Sequence, residues 1–123
     1  MHETGIAMEI YAISRRTADA NAGGRLLSVK VVVGELSAVE PDLLAFAWEA
    51  VTAGGTDSKA RIDVEWHAAR QICAGCGEIA ERASGTWLRI CPRCSGALRI
   101  EGGDELDVRD VTFEDDGGGG GTR

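Results

Sequence analysis

Apolar positions recur along this chain with two different periods, and the switches between them mark out its elements. Ile6, Ile10 and Ile13 return near helical spacing, with Met8 and Tyr11 widening the stripe, which predicts a helix over residues 6–21. Thr4 is placed to cap it, and Ala22-Gly23-Gly24 to end it. LLSVKVVVGEL, residues 26–36, changes to alternation. Leu27, Val29, Val31 and Val33 oppose Ser28, Lys30 and Val32, which predicts a strand broken at Gly34. A second helix follows, with Pro41 in its first turn, Gly54-Gly55 at its end and Leu44, Ala47, Trp48 and Val51 on one face. Phe46 and Trp48 are expected in the core. RIDVEWH, residues 61–67, alternates again, with Ile62, Val64 and Trp66 opposite Asp63, Glu65 and His67. The last strand is ELDVRDVTFE, residues 105–114. Leu106 and Val108 are one residue out of phase with Val111 and Phe113, and a β-bulge near Arg109-Asp110 reconciles them.

Composition sets the class. The 123 residues are 44% hydrophobic, enough for one domain with a small insertion, and the formal net charge is −7. An acidic chain lacks the basic surface that non-specific nucleic-acid binding requires. No apolar run is long enough to cross a bilayer and no signal peptide is visible, so the expected location is cytoplasmic. There the four cysteines suggest metal or redox chemistry before disulfides. The tail GGGGGTR, 117–123, has almost no packing side chains and is expected to be disordered.

The cysteines form the most specific motif: Cys73-Ala-Gly-Cys76-Gly, then Cys91-Pro-Arg-Cys94-Ser-Gly. Each CxxC is a tight knuckle that points two thiolates at one ion, with glycines following to permit positive φ. Two knuckles supply the tetrahedron that suits zinc. All four positions are cysteine, so none is open for water or substrate, and the zinc is expected to be structural. The segment therefore reads as a zinc ribbon over 71–100. It is inserted into an α+β domain of two helices with a three-stranded mixed sheet, made from 1–70 with 101–116. Rubredoxin-like iron would use the same knuckles, but aromatics are only 5% of the chain. A nucleic-acid ribbon would need a basic face. Arg82, Arg89, Arg93 and Arg99 against Glu78 and Glu81 leave only +2, which a zinc tetrathiolate cancels, with Trp87 for stacking. His67 has no neighbour at ligand spacing and is expected to be a solvated surface residue. No catalytic triad, phosphate loop or paired acids appear, so no enzyme is predicted.

The N-terminus, Met1-His2-Glu3, carries a second candidate site. A free α-amine, the backbone nitrogen of residue 2 and the imidazole of His2 can close fused chelate rings that approach a square plane. Ni(II) and Cu(II) favour such tetragonal nitrogen and oxygen fields. Glu3 can fill the fourth place, through its carboxylate or its backbone nitrogen. Without thiolates or a closed cage, the site would bind reversibly, as a carrier does.

MHE, VVVGELSAVEP, CAGCG, CPRCSG and GDELDVRDVTFE together resemble the HypA/HybF hydrogenase maturation proteins, over Met1 to about Asp116. The resemblance implies Ni(II) held by Met1, His2 and Glu3, and Zn(II) held by Cys73, Cys76, Cys91 and Cys94. Glu40 stands where some relatives place an acid near the nickel; by itself it reads as an acid favouring the positive start of the helix at Pro41. The resemblance further implies nickel delivery to the large-subunit precursor of [NiFe]-hydrogenase, with a nickel-handling maturation GTPase as partner and urease as a client of some members. A homodimer stays open; nucleic acid and membrane are not expected as partners. The rival reading is a zinc-ribbon adaptor that binds protein or RNA and carries no transported metal.

Overall fold

A computed structural model describes residues 2–82, 86–115 and 120–122. In chain order the elements are α1 (His2–Ala20), β1 (Gly23–Gly34), a 3-10 turn (Glu35–Ser37), α2 (Pro41–Thr52), β2 (Arg61–His67), β3 (Arg70–Cys73), β4 (Gly77–Ile79), β5 (Leu98–Glu101), β6 (Leu106–Asp115) and β7 (Gly120–Thr122). One sheet has the order β2-β1-β6-β7, the other β4-β3-β5. The predicted helices and the mixed sheet are present.

β1 is the centre of the first sheet. β2 lies parallel to it, which requires a crossover, and α2 supplies that crossover. β6 lies antiparallel on the other side. Val29, Val31 and Val33 of β1 are buried with Val111 and Phe113 of β6 and with Ala7, Ile10, Leu44, Ala47 and Trp48 of the two helices. Both helices pack on this one face. The opposite face of β1 and β2 is polar, although Val32 is fully buried there.

The phase slip in the last strand is a bulge, as its sequence predicts. Lys30 pairs with Asp110 and Val31 with Val108, leaving Arg109 as the extra residue. That extra residue turns both Val108 and Val111 toward the core. A second irregularity changes β1. Leu26, opposite Phe113, is buried and Leu27 is exposed, the reverse of the predicted alternation. Register shifts on both sides of Leu26 move the pattern by one residue there.

Four other expectations are corrected. α1 starts at His2, so Thr4 lies inside the helix rather than capping it. Its start is fixed by Glu3, an acid at the positive helix end whose carboxylate is tied to α2 (below). Phe46 is 73% exposed, while Trp48 is buried and donates its indole N–H to the Ala60 carbonyl at 2.9 Å. The helical stripe Leu44-Ala47-Trp48 fills the core, and Phe46 falls outside it. Trp66, expected inward, is 49% exposed near the end of its strand. The tail departs from disorder at Gly120–Thr122, which pair with Thr112–Glu114; 116–119 and 123 lie outside the described residues. Backbone hydrogen bonds need no side chain, so a glycine run can extend a sheet without any pattern to announce it.

Between the two sheets, three stretches of backbone come very close. Gly34 donates its N–H to the Glu105 carbonyl at 2.7 Å, and Leu36 to the Gly103 carbonyl at 2.5 Å. A Cβ on Gly34 would stand 2.2 Å from the Gly103 oxygen. Gly103, at φ +79°, lies where its own Cβ would be 2.5 Å from that of Ala69. No side chain fits at either glycine, so the crossing fixes how the second sheet leaves the first.

Candidate metal centres

The two CxxC knuckles converge. Cys73 ends β3, and the chain turns through 74–76 into β4 at Gly77, whose φ is +83°. In the second knuckle the left-handed position falls to Ser95, at φ +65°, rather than to a glycine. Hydrogen bonds Cys91 N–H to Gly96 O at 2.7 Å and Ser95 N–H to Cys91 O at 2.9 Å close that turn. The four sulfurs lie within 4.8 Å of one another, and Cys73 and Cys94 Sγ are 3.5 Å apart. A tetrahedron with Zn–S bonds of about 2.3 Å has S···S edges of about 3.8 Å. The separations therefore fit.

The donor chemistry fits too. Backbone N–H groups of Cys76 and Gly75 hold the Cys73 thiol down to about 7. Hydrogen bonding to Cys94 and Cys91 pushes Cys76 up to about 12. Four sulfurs this close cannot all ionise beside one another, and a divalent cation among them removes that conflict. The Arg93 N–H, 3.4 Å from Cys91 Sγ, offsets part of the remaining negative charge. Cys73 and Cys91 are buried and Cys94 is exposed, so the cluster has an inner and an outer edge. The site is compatible with structural zinc.

The second gathering of ligand groups is at the helix starts. The Glu40 N–H donates to Glu3 Oε2 at 3.3 Å, and farther along Tyr11 meets Trp48 edge-on with centroids 6.0 Å apart. The helices thus run parallel, and their positive ends share one place. Glu3 occupies that place and is 6% exposed. Burial opposes its charge, but the Glu40 N–H, its own N–H and His2 outweigh burial and hold the carboxyl below the usual range. Its Oε1 lies 3.2 Å from His2 Nδ1, while the His2 side chain is 53% exposed. His2, Glu3 and the Glu40 backbone are therefore brought together. The Glu40 side chain is exposed and makes no capping bond. Met1 lies outside the described residues.

His67 is not simply solvated. Its Nε2 is 2.6 Å from Glu65 Oε2 and its Nδ1 is 3.4 Å from Glu105 Oε2. Glu65, then Glu105, raise its pKa. The sequence could not show this, because Glu105, just before β6, is 38 positions away.

One clasp was also invisible to pattern reading. Glu35, just after β1, takes both guanidinium nitrogens of Arg82 at 2.7 and 3.1 Å, and the Ala69 N–H at 3.1 Å. Arg82 also lies 3.9 Å over the Trp87 ring. The only hint in sequence is the glutamate of GEL, which breaks the alternation at the strand's end. The clasp joins the segment between the knuckles to the base of the first sheet. No described helix is long and apolar enough to cross a membrane.

Comparison with known proteins agrees with these features. A family model described as hydrogenase/urease nickel incorporation, metallochaperone, hypA matches residues 1–113. The hydrogenase maturation factor HypA of Chlorobium limicola is 33% identical, over 94% of this chain and 98% of its own length. That of Rhizobium leguminosarum bv. viciae is 36% identical, over 90% and 97%. The solution structure of the Ni metallochaperone HypA from Helicobacter pylori superposes with a TM-score of 0.61 at 20% identity, over 93% of this chain and 98% of that one, and shows the same fold. Matched by the family model across nearly its whole length, with its cysteines gathered as a zinc site requires, the chain belongs to the HypA family of metallochaperones for hydrogenase and urease nickel incorporation.

Proposed function

We propose that this chain carries Ni(II) on Met1, His2 and Glu3 and delivers it to the large-subunit precursor of [NiFe]-hydrogenase. The observation that carries this reading is the exposed His2 beside the buried Glu3 carboxylate, at the joined starts of two parallel helices. The His2 backbone nitrogen opens α1, and the first N–H groups of a helix have no acceptor within it. A metal can take that nitrogen without breaking a helical hydrogen bond. The α-amine and the imidazole complete three nitrogen donors, and Glu3 supplies a fourth. Glu40, at the neighbouring helix start, adds negative charge near the cation. The His2 side chain is 53% exposed, so the ion stays within reach of a partner that offers stronger ligands and is surrendered to it.

In this reading Cys73, Cys76, Cys91 and Cys94 hold a resident zinc that shapes the domain 71–100. The domain formed by 1–70 with 101–116 does the carrying. The protein catalyses no reaction, works in the cytoplasm, and hands nickel on together with a nickel-handling maturation GTPase. Urease is a second client class. A homodimer is compatible with the reading but not required by it. Of the ribbon's four arginines, Arg82, Arg93 and Arg99 are paired with Glu35, Glu81 and Glu101, which leaves little basic surface for RNA.

Acetylating the α-amine of Met1 tests the proposal. The blocked nitrogen can no longer close a chelate ring with the residue 2 nitrogen. Nickel binding should fall at least tenfold while the zinc content stays unchanged. Equal binding by the acetylated chain would contradict the proposed ligand set.

A further inference from the structure

We infer that the outer face of α2 is a docking surface for a partner protein that presents an apolar socket rimmed with lysine and arginine. Phe46 is 73% exposed and Leu43 is 48% exposed. They stand at i and i+3, with exposed Ala50 at i+7, so they share one stripe along the helix. A large aromatic left this open is unusual in a small domain. A contiguous apolar stripe in a charged surround marks an interaction site more often than a scattered one does.

The charges around the stripe indicate what meets it. Asp42 lies one turn before Phe46 and Glu49 one turn after it. Glu40 opens the helix, and all three are exposed. Among the described residues none of them has an ion-pair partner. α2 carries no basic residue at all. A second copy of this face would set acid against acid, and an anionic surface would be repelled. A socket with a cationic rim satisfies both the stripe and its border, and it draws in the partner by long-range attraction.

Its position adds to the argument. The stripe begins at the end of α2 that Glu40 precedes, and the Glu40 N–H is bonded to Glu3, beside His2. A protein seated on Leu43 and Phe46 would stand on the helix whose start meets Glu3, beside the proposed nickel ligands. This inference rests on the carrier reading for its purpose, but its chemistry is independent of nickel.

The test uses the full-length, zinc-loaded chain and the purified maturation GTPase, with binding followed by calorimetry at two salt concentrations. Phe46→Ser should weaken binding at least tenfold, because central aromatics dominate such interfaces. Asp42→Lys with Glu49→Lys should weaken it and flatten its salt dependence. Both variants should still take up nickel as the wild type does, which shows that the helix starts are intact. Unchanged affinity in Phe46→Ser would overturn the inference. So would a wild-type chain that binds nickel but not the GTPase, and that outcome would leave the carrier reading standing. Sedimentation of the chain alone provides the last arm. A concentration-dependent dimer abolished by Phe46→Ser would assign the stripe to a second copy and overturn the partner named here.

Discussion

At the scale of single residues, the most consequential side chain is one that no motif announces. Asp57 is 2% exposed and accepts from the Tyr11 hydroxyl at 2.7 Å and the Leu26 N–H at 2.8 Å, with Arg15 at 3.4 Å. It ties the loop after α2 to both α1 and β1. In the sequence it is one acid among turn residues, because its partners are more than thirty positions away. Asp57→Ala should lower the unfolding free energy by about 2–4 kcal/mol, since a buried N–H and a cation lose their acceptor. Asp19→Ala, on the exposed side of Arg15, should change it by less than about 1 kcal/mol. Urea unfolding of both variants checks the contrast, and equal midpoints would refute the role given to Asp57.

His67 makes a second residue-scale prediction, one with a sign. Its pKa is raised in the fold by Glu65 and Glu105. The stability it contributes is therefore fully present below its ordinary value near 6.5, and is lost as pH climbs through the raised one. The difference in urea midpoint between wild type and His67→Gln should shrink as pH rises from about 6 to about 9. A difference that grows with pH would contradict the bridge.

At the scale of elements, legibility followed the length over which side chains repeat. The bulge at Arg109 showed in the sequence because four apolar residues of one strand bracket it. The core stripe of α2 showed because Leu44, Ala47 and Trp48 keep helical phase. The start of α1 did not, because it depends on a contact between Glu3 and a backbone group of another helix. β7 did not either, because glycine carries no pattern. The knuckles of the second sheet were readable from spacing alone, but their attachment to the first sheet through Glu35 and Arg82 was not.

That attachment and the zinc site predict separable behaviour. The second sheet has little apolar core: Ile79, with Leu98 packed against the cysteines. A segment this small depends on its metal for its fold. Chelating the zinc should therefore abolish hydrogen-exchange protection across Arg70–Glu101 while β1 and the helices stay protected. Uniform loss would show that the two sheets unfold as one. Arg82→Ala should leave the zinc bound and cost about 2 kcal/mol, the order expected when a largely buried carboxylate loses a charged partner. Faster exchange at the Ala69 amide would report the freed junction.

For the whole molecule, the account is a division of labour between two metal centres of opposite character. The cysteine cluster is sulfur-rich and partly buried, a donor set that suits a resident ion. The helix starts are rich in nitrogen and oxygen, a donor set that suits the carried nickel of the proposed function. Family membership supplies the cargo, nickel, and the geometry supplies a reason for each half of the chain.

The most direct measurement is a Ni(II) titration of the untagged, zinc-loaded chain beside His2→Ala, following heat and visible d–d absorption, with zinc assayed in both. The account predicts about one nickel bound by the wild type, in the planar field that nickel favours with nitrogen donors. It predicts loss of that binding in His2→Ala with zinc unchanged. If both chains bind nickel alike, or if His2→Ala loses zinc as well, the N-terminus is not the separate carrying site and the central claim fails.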